Sequence, residues 1–536
     1  MAPSTHPAPT PGPLSDDHVV ADQSAVFDVL ADPAAHGLPA GEAVQRVNTH
    51  GATVFLAGPH AYKVKRAVCF PFMDFSTLEK RKAACEAEVA ISGANAPGLY
   101  LGVVPITRSG TGLVLGGDGA AVDYAVKMRR FDPADTLDQV AARAPLSREL
   151  VAALAHAVSC SHARAEIHRE VDVSERLARY LADNRLSFAR HGDLFPAEAG
   201  VALAAASATA LERIAPLLRA RARDGFVRRC HGDLHLANIV LLHDTPVLFD
   251  AIEFSDDIAV CDVLYDLAFL LMDLWQRGLH VAANGVMNRY LWAERRDDAL
   301  DGLSALPLFL SLRAAIRAKV EAAGLPHLPA SAREAAARRV RHLFDSAGSF
   351  LGLQPGPEPR EAPADLPAAL LQPEPRLCAI GGLSGSGKSR RARQWAPFIG
   401  RAPGAVVLRS DIERKRLFGV AETEPLPEAA YDPGVTGRVY ARLCDLAGRV
   451  LATGQSVVVD AVHARPEERD AVAAVARERG VPFHGIWLDA PLNVRVERVE
   501  HRQAAGRDAS DAGSAVARRQ QDYDIGPLTW SRLTSG

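Results

Sequence analysis

Covalent cross-links and metal clusters have little to build on in this sequence. Of 536 residues seven are cysteine, odd in number, scattered, and never spaced as Cys-x-x-Cys. That pattern excludes a disulfide framework or a zinc knuckle and fits reduced thiols. No uninterrupted apolar run approaches the ~20 residues of a membrane helix. The opening MAPSTHPAPTPGP has neither a basic n-region nor an apolar h-region, so the expectation is a soluble, cytoplasmic protein with no membrane partner. An excess of either charge is also missing: Lys+Arg number 61 against 64 Asp+Glu, a formal net charge of -3. Nothing in that balance pulls the whole chain toward nucleic acid, and a small-molecule partner is favoured. There is no internal repeat, and nothing in the composition indicates an oligomeric state.

The length exceeds what one hydrophobic core supports. Residues 1–17 are rich in Pro, Ala, Ser and Thr and are expected to be a disordered tail. A second Pro-rich stretch, 352–375, reads as a linker. It separates a domain over 18–351 from one over 376–536, and cutting there is expected to give two soluble fragments. In the first domain, 53–57 and 61–68 flank a Gly-Pro turn as a β-hairpin, and Ser76 with Glu79 has the spacing of a capping box for the next helix. Strand-like runs follow at 100–107, 112–116 and 122–130, then helical periodicity over 147–222 and from 263 to about 350. In the second domain, apolar runs at 377–381, 405–410, 456–460 and 484–488 alternate with helical stretches. Such alternation predicts a doubly wound parallel sheet.

Gly382-Leu383-Ser384-Gly385-Ser386-Gly387-Lys388-Ser389 satisfies G-x-x-x-x-G-K-[ST] between an apolar strand and a helix, the context that makes the pattern informative. Glycines let backbone N–H groups converge on phosphate oxygens, Lys388 brings a cation to the β/γ-phosphates, and Ser389 offers a hydroxyl to Mg2+. Downstream, Asp411 is placed to accept a hydroxyl proton and Arg414 to hold an anionic substrate group. Asp460, ending the VVVD strand, stands where a metal-directed carboxylate is wanted. The lesser alternative makes Asp411 an N-cap and Asp460 a strand-end turn residue. Arg498 and Arg502, four apart on one helical face, can close over the phosphates. Together these residues resemble the small P-loop kinases that include polynucleotide kinase, gluconate kinase, chloramphenicol phosphotransferase and the zeta toxins.

A second constellation lies upstream. His231-Gly232-Asp233-Leu-His-Leu-Ala-Asn238 follows the kinase catalytic loop H-R-D-L-x-x-x-N with glycine in place of arginine, and a short hairpin then leads to Asp250. Written His-Gly-Asp, the loop resembles that of the aminoglycoside phosphotransferases. The resemblance implies Asp233 as catalytic base, Asn238 and Asp250 as Mg2+ ligands, His231 shaping the loop, and Asp266 as a structural residue beneath it. It further implies a kinase-like N-terminal lobe. There Lys63 or Lys65, two apart on a strand and facing the same side, is to meet the ATP phosphates. Lys63 is the first choice, paired with Glu88 (Glu86 lies close by), and Met128 belongs to the adenine hinge.

The expected fold is therefore an α+β protein-kinase-like bilobal domain, a small sheet lobe plus a helical lobe, followed by an α/β P-loop domain with a doubly wound parallel sheet. The whole resembles bacterial fusions of these two domain types. The implied function is an ATP-dependent, Mg2+-assisted transfer of phosphoryl groups to hydroxyls of small molecules, at both sites. Two alternatives stand beside it: a regulatory ATP-binding protein in which one domain senses nucleotide, and a polynucleotide 5′-hydroxyl kinase in the P-loop half.

Overall fold

A computed structural model describes residues 18–39, 41–49, 51–70, 73–110, 112–354, 362–505 and 508–534. The expected tail, 1–17, and the middle of the expected linker, 355–361, lie outside them. The described residues form two compact units. The first holds those up to Ala153 with Cys160–Leu270 and Phe309–Gln354; the second holds Leu154–Ser159, Leu271–Leu308 and the residues from 362 onward.

In the first unit an antiparallel sheet runs Gln45–Asn48, Ala52–Ala57, His60–Lys65, Ala121–Arg129, Tyr100–Ser109, Gly112–Leu115. The expected hairpin pairs Ala57 with His60 across Gly58-Pro59, and Gly58 supplies the positive φ, 52°, that the tight turn needs. The helix Leu78–Asn95 buries Cys85 in a cluster with Ala61, Leu99, Val126 and Met128. Its cap is Thr77, whose Oγ1 accepts from Lys80 N at 3.3 Å. Ser76, the expected cap, lies one residue before it, and its N–H bonds Asp74 Oδ1 at 3.0 Å.

Helices Val173–Arg190, Ala197–Arg223 and Ala330–Phe350 build the helical lobe. An 18-residue window of Ala197–Arg223 reaches a mean hydropathy of 1.4, but Glu212 and Arg213 interrupt it, so it is not the uninterrupted apolar run of a membrane helix. Its Leu203, Leu211, Ile214 and Leu218 are buried, and its Arg221 is paired to Asp262 at 2.7 and 2.9 Å.

The second unit is the expected parallel sheet, in the order Val406–Arg409, Val457–Asp460, Leu377–Gly381, Phe483–Asp489, Ser531–Thr534. The last strand had no signal in the sequence. Leu377–Gly381, with strands on both sides, is buried at every residue, as a strand covered on both faces must be.

Two features depart from the expected boundaries. The end of the supposed linker belongs to the core: Leu366 and Leu370 pack with Ile380, Trp395 and Ile399, and Asp365 accepts from Trp395 Nε1 at 3.2 Å and pairs with Arg391. More unexpectedly, residues 271–308, read as part of the first domain, pack in the second unit. The cause is the sheet edge. Val406–Arg409 has backbone groups with no neighbouring strand among the described residues, and such an edge is stable when covered. The helix His280–Ala293 covers it with residues on one face. Asn284 Nδ2 donates to the Pro403 and Ala405 carbonyls, both at 3.0 Å. Asn288 Oδ1 accepts from Val407 N at 2.6 Å, and Trp292 Nε1 donates to Val407 O at 2.9 Å. Asp297 and Asp301 add fork-like pairs to Arg442, 2.9 and 2.6 Å, and Arg449, 2.6 and 2.7 Å.

Candidate active sites

In the first unit the loop His231–Asn238 is fixed from below by Asp266. This fully buried carboxylate accepts from His231 N at 3.2 Å, Gly232 N at 2.8 Å and His162 Nε2 at 3.1 Å. Gly232 is at φ 83°, and a Cβ there would meet Ile252 side-chain carbons at 3.0 and 3.1 Å. That explains why glycine stands where the kinase pattern has arginine. His231 is buried, and burial lowers its pKa against the opposing charge of Asp266. As a neutral ring it donates from Nε2 to Phe249 O at 2.9 Å. Phe249 N in turn bonds Asn238 O at 3.0 Å. These bonds tie the hairpin Ile239–Leu242 and Thr245–Leu248 to the loop and bring Asp250 beside it.

Asp233 and Asn238 meet directly: Asn238 Nδ2 donates to Asp233 O and Oδ2, both at 3.0 Å. His235 Nε2 is 3.3 Å from the same carboxylate oxygen. Desolvation works against charge on Asp233, but the hydrogen bond and charge of His235, with His231 and Arg317, outweigh it and hold its carboxyl well below the usual range. Its side chain is still 38% exposed, so an ionised oxygen remains accessible to an acceptor.

Both lysines reach Glu88, which is fully buried. Lys63 Nζ is 2.9 Å from its Oε1 and Lys65 Nζ 2.5 Å from its Oε2. Burial disfavours the Glu88 carboxylate, yet the two ammonium groups bring its pKa down to about 2. What separates the lysines is their other partner. Lys63, with its side chain 14% exposed, reaches Asp250 Oδ1 at 2.5 Å. Lys65, 3% exposed, is sealed against Glu253 and above the Phe75 ring. Lys63 therefore faces the open side with Asp250, and Lys65 is held as a buried prop. Glu86 pairs with Lys82 instead, at 3.8 Å. Asp250 sits at φ 61°, a strained conformation that typically marks a functional position. Its N–H bonds Tyr100 Oη at 3.0 Å. Met128 is buried at the end of its strand beside Tyr100, Phe131 and Phe249. Glu253 was missed in the sequence; its signal was the second lysine, which needed an acid of its own.

In the second unit the loop Gly382–Ser389 follows the central strand. Gly382, Gly385 and Gly387 have φ of 137°, 83° and 94°. A Cβ on Gly382 would come within 2.6 Å of Leu488 O, and one on Gly385 within 2.3 Å of Arg495 O. Leu383 O accepts from Lys388 Nζ at 3.2 Å and Ser384 N donates to Gln520 Oε1 at 2.7 Å. Ser386 Oγ is buried without a hydrogen-bond partner. Burial lowers the pKa of Lys388, against Asp460 and Asp411. Ser389 and Asp460 converge on one guanidinium: Arg409 Nη2 is 3.3 Å from Ser389 Oγ, and Nε 3.3 Å from Asp460 Oδ2. Asp411 is in the first turn of the helix Ser410–Leu417.

Three arginines differ from expectation. Arg414, expected to hold an anionic group, is buried; its Nη1 donates to Ala430 O at 2.5 Å, and its guanidinium lies 4.9 Å from the Tyr431 ring centre. It props the 428–431 turn. On the helix Leu492–Ala505 the residue against the loop is Arg495, one turn before the expected pair, with Nη1 3.5 Å from Ser384 O and Nη2 2.6 Å from Gln521 Oε1. Arg502 donates to Ala512 O at 2.8 Å, and its charge acts on Lys388. Arg498 is half-buried near Arg390.

Residues 127–303 match the phosphotransferase enzyme family. Residues 377–524 match the AAA domain. The chain is thus a phosphotransferase enzyme with a C-terminal P-loop kinase-like domain. An uncharacterized protein of Mycobacterium tuberculosis (strain ATCC 25618 / H37Rv) is 29% identical over 490 residues, covering 89% of this chain and 90% of its own. An uncharacterized protein of Mycobacterium bovis matches to the same extent. Among solved structures, an aminoglycoside phosphotransferase from Alicyclobacillus acidocaldarius is similar over 57% of this chain and 90% of its own, at 14% identity and TM-score 0.34. A gluconokinase from Sinorhizobium meliloti is similar over 31% and 85%, at 21% identity and TM-score 0.22. Likenesses at these scores bear on neither substrate nor mechanism.

Proposed function

We propose that the enzyme is bifunctional, each site transferring the γ-phosphoryl group of ATP to a hydroxyl of a small molecule. The observation that carries this is the first site's division of labour: an ionised, accessible Asp233 bonded to Asn238, beside a Lys63–Glu88–Asp250 cluster. A neutral hydroxyl must lose a proton as it attacks, and the Asp233 carboxylate is the group placed to take it. Lys63 meets the nucleotide phosphates, with Glu88 fixing its direction. Asn238 spends its Nδ2 on Asp233, which leaves Oδ1, with the Asp250 carboxylate, as the hard-oxygen pair that would hold Mg2+. In the second site Ser389 and Asp460 offer the same chemistry, and Asp411 is the proton acceptor. The ion, when bound, neutralises charge on the phosphate oxygens.

The test is ATP consumption by the full chain against panels of sugars, amino alcohols, aminoglycosides and nucleosides. Asp233→Asn should lower turnover on one group of acceptors by about 10²–10⁴-fold with little change in ATP affinity. Lys388→Ala should silence a different group. A full loss of activity from either variant alone, on every acceptor, refutes bifunctionality.

A further inference from the structure

We propose that Arg409 holds the terminal phosphoryl group of the nucleotide in the P-loop site, and that Asn288 and Trp292 are the positioning residues that keep it there. This rests on the reading of residues 377–524 as a nucleotide-binding domain.

Arg409 ends the edge strand, and its side chain is 2% exposed. It stands between the Ser389 hydroxyl and the Asp460 carboxylate and touches Asp508 Oδ1 at 3.0 Å. A group so placed borders whatever phosphate the loop Gly382–Ser389 cradles. One of its nitrogens, Nη1, is buried with no hydrogen-bond partner among the described residues. A buried cationic N–H left unbonded is costly, and such atoms call for a specific ligand. A phosphate oxygen meets the need, since the planar guanidinium fork suits tetrahedral oxyanions. The surrounding charge points the same way. Arg409 and Arg502 both act electrostatically on Lys388, and cations gathered round a glycine loop suit a polyanion, with Asp460 and Asp508 beside Arg409 balancing its charge. Lys388 and the loop backbone serve the β- and γ-phosphates; Arg409, beside Ser389, adds a second cation to the outermost group.

The positioning argument follows from the edge strand. Both backbone groups of Val407, two residues before Arg409, are bonded by side chains of the covering helix: N–H to Asn288 Oδ1 at 2.6 Å and C=O to Trp292 Nε1 at 2.9 Å. The Trp292 ring centre is 5.9 Å from the Arg409 guanidinium carbon. Strand end and side chain are thus set by residues more than a hundred positions upstream.

The experiment titrates Mg·ATP and Mg·ADP into the full chain by calorimetry, in an Asp250→Ala background that removes a proposed metal ligand of the first site. Arg409→Gln should weaken ATP about 10–100-fold, the effect of one charged hydrogen bond, and ADP by less than about threefold. Arg409→Lys keeps the charge without the fork and should fall between. Trp292→Phe should shift the ATP/ADP ratio in the same direction with Arg409 intact. Equal weakening of both nucleotides, or an unchanged ratio, overturns the proposal and leaves Arg409 a prop for Asp460 and Asp508. If Arg409→Gln fails to fold, the lysine and Trp292→Phe variants decide. Lys388→Ala separates the two levels: nucleotide retained at full affinity there sinks the P-loop reading itself, whereas loss in that variant with an unchanged ratio in the Arg409 variants sinks only this inference.

Discussion

A fragment beginning at residue 374 contains every strand and the whole phosphate loop of the second unit, yet the structure says it will not fold well. It lacks Leu366 and Leu370, both buried in the core that includes Trp395 and Ile380. Burial of a leucine contributes about 1.5–3 kcal/mol, so the two together account for about 3–6 kcal/mol. It also lacks the helix His280–Ala293, whose Asn284, Asn288 and Trp292 bond the Val406–Arg409 edge. At about 1 kcal/mol for each such bond, the combined loss is comparable to the ~5–15 kcal/mol that stabilises a typical domain. Urea unfolding followed by fluorescence of Trp395, Trp487 and Trp530 checks this. Fragment 374–536 should aggregate or show no cooperative transition, and 362–536 should be more stable by about 3–6 kcal/mol, with its sheet edge still bare. Coincident transitions for the two fragments refute the reasoning.

Other outcomes follow from the first site. Glu88→Gln leaves Lys63 and Lys65 short of a buried partner and should cost about 3–5 kcal/mol at neutral pH, measured by chemical denaturation. Because Glu88 has its pKa lowered from 4.5 to about 2 by the two lysines against burial, its contribution is complete above pH 4.5 and lost as pH falls toward 2. The stability difference between wild type and Glu88→Gln should therefore shrink over that window, and a gap that stays constant contradicts the ion-pair account. Gly232→Ala should lose about 1–2 kcal/mol from the left-handed backbone alone, and more from the contact with Ile252. Turnover should fall with it, because Asp233 is the next residue; unchanged turnover and melting would contradict the described loop.

What was legible in the sequence was what a few neighbouring residues decide. The phosphate loop and the His231–Asn238 turn each carry their phosphate- and proton-handling residues within a few positions, so residue type and spacing sufficed to find them. The period of two placed Lys63 and Lys65 on one face correctly. Choosing between them required Asp250, 187 positions away from Lys63, which no local pattern encodes. The same distance hid Arg409, whose environment is assembled from Ser389, Asp460 and Asp508. It also hid the helix His280–Ala293: buried Asn284 and Asn288 read as ordinary polar residues until the edge strand they serve is present. Proline content made 352–375 look like pure linker, because composition does not reveal that Leu366 and Leu370 find a core. The cap is Thr77 and not Ser76, and spacing alone does not decide between two adjacent hydroxyl residues.

The covering helix also imposes an order on synthesis. Asn284, Asn288 and Trp292 emerge from a ribosome more than a hundred residues before Val407, which at ~5–20 residues per second is roughly 6–23 s of elongation. Through that interval the helix His280–Ala293 presents polar side chains and apolar surface to partners not yet made. Leu306–Gly324 and Ala330–Phe350, translated meanwhile, follow it in the chain and contribute to the first unit. The nascent chain must therefore set one helix aside and complete the first unit past it.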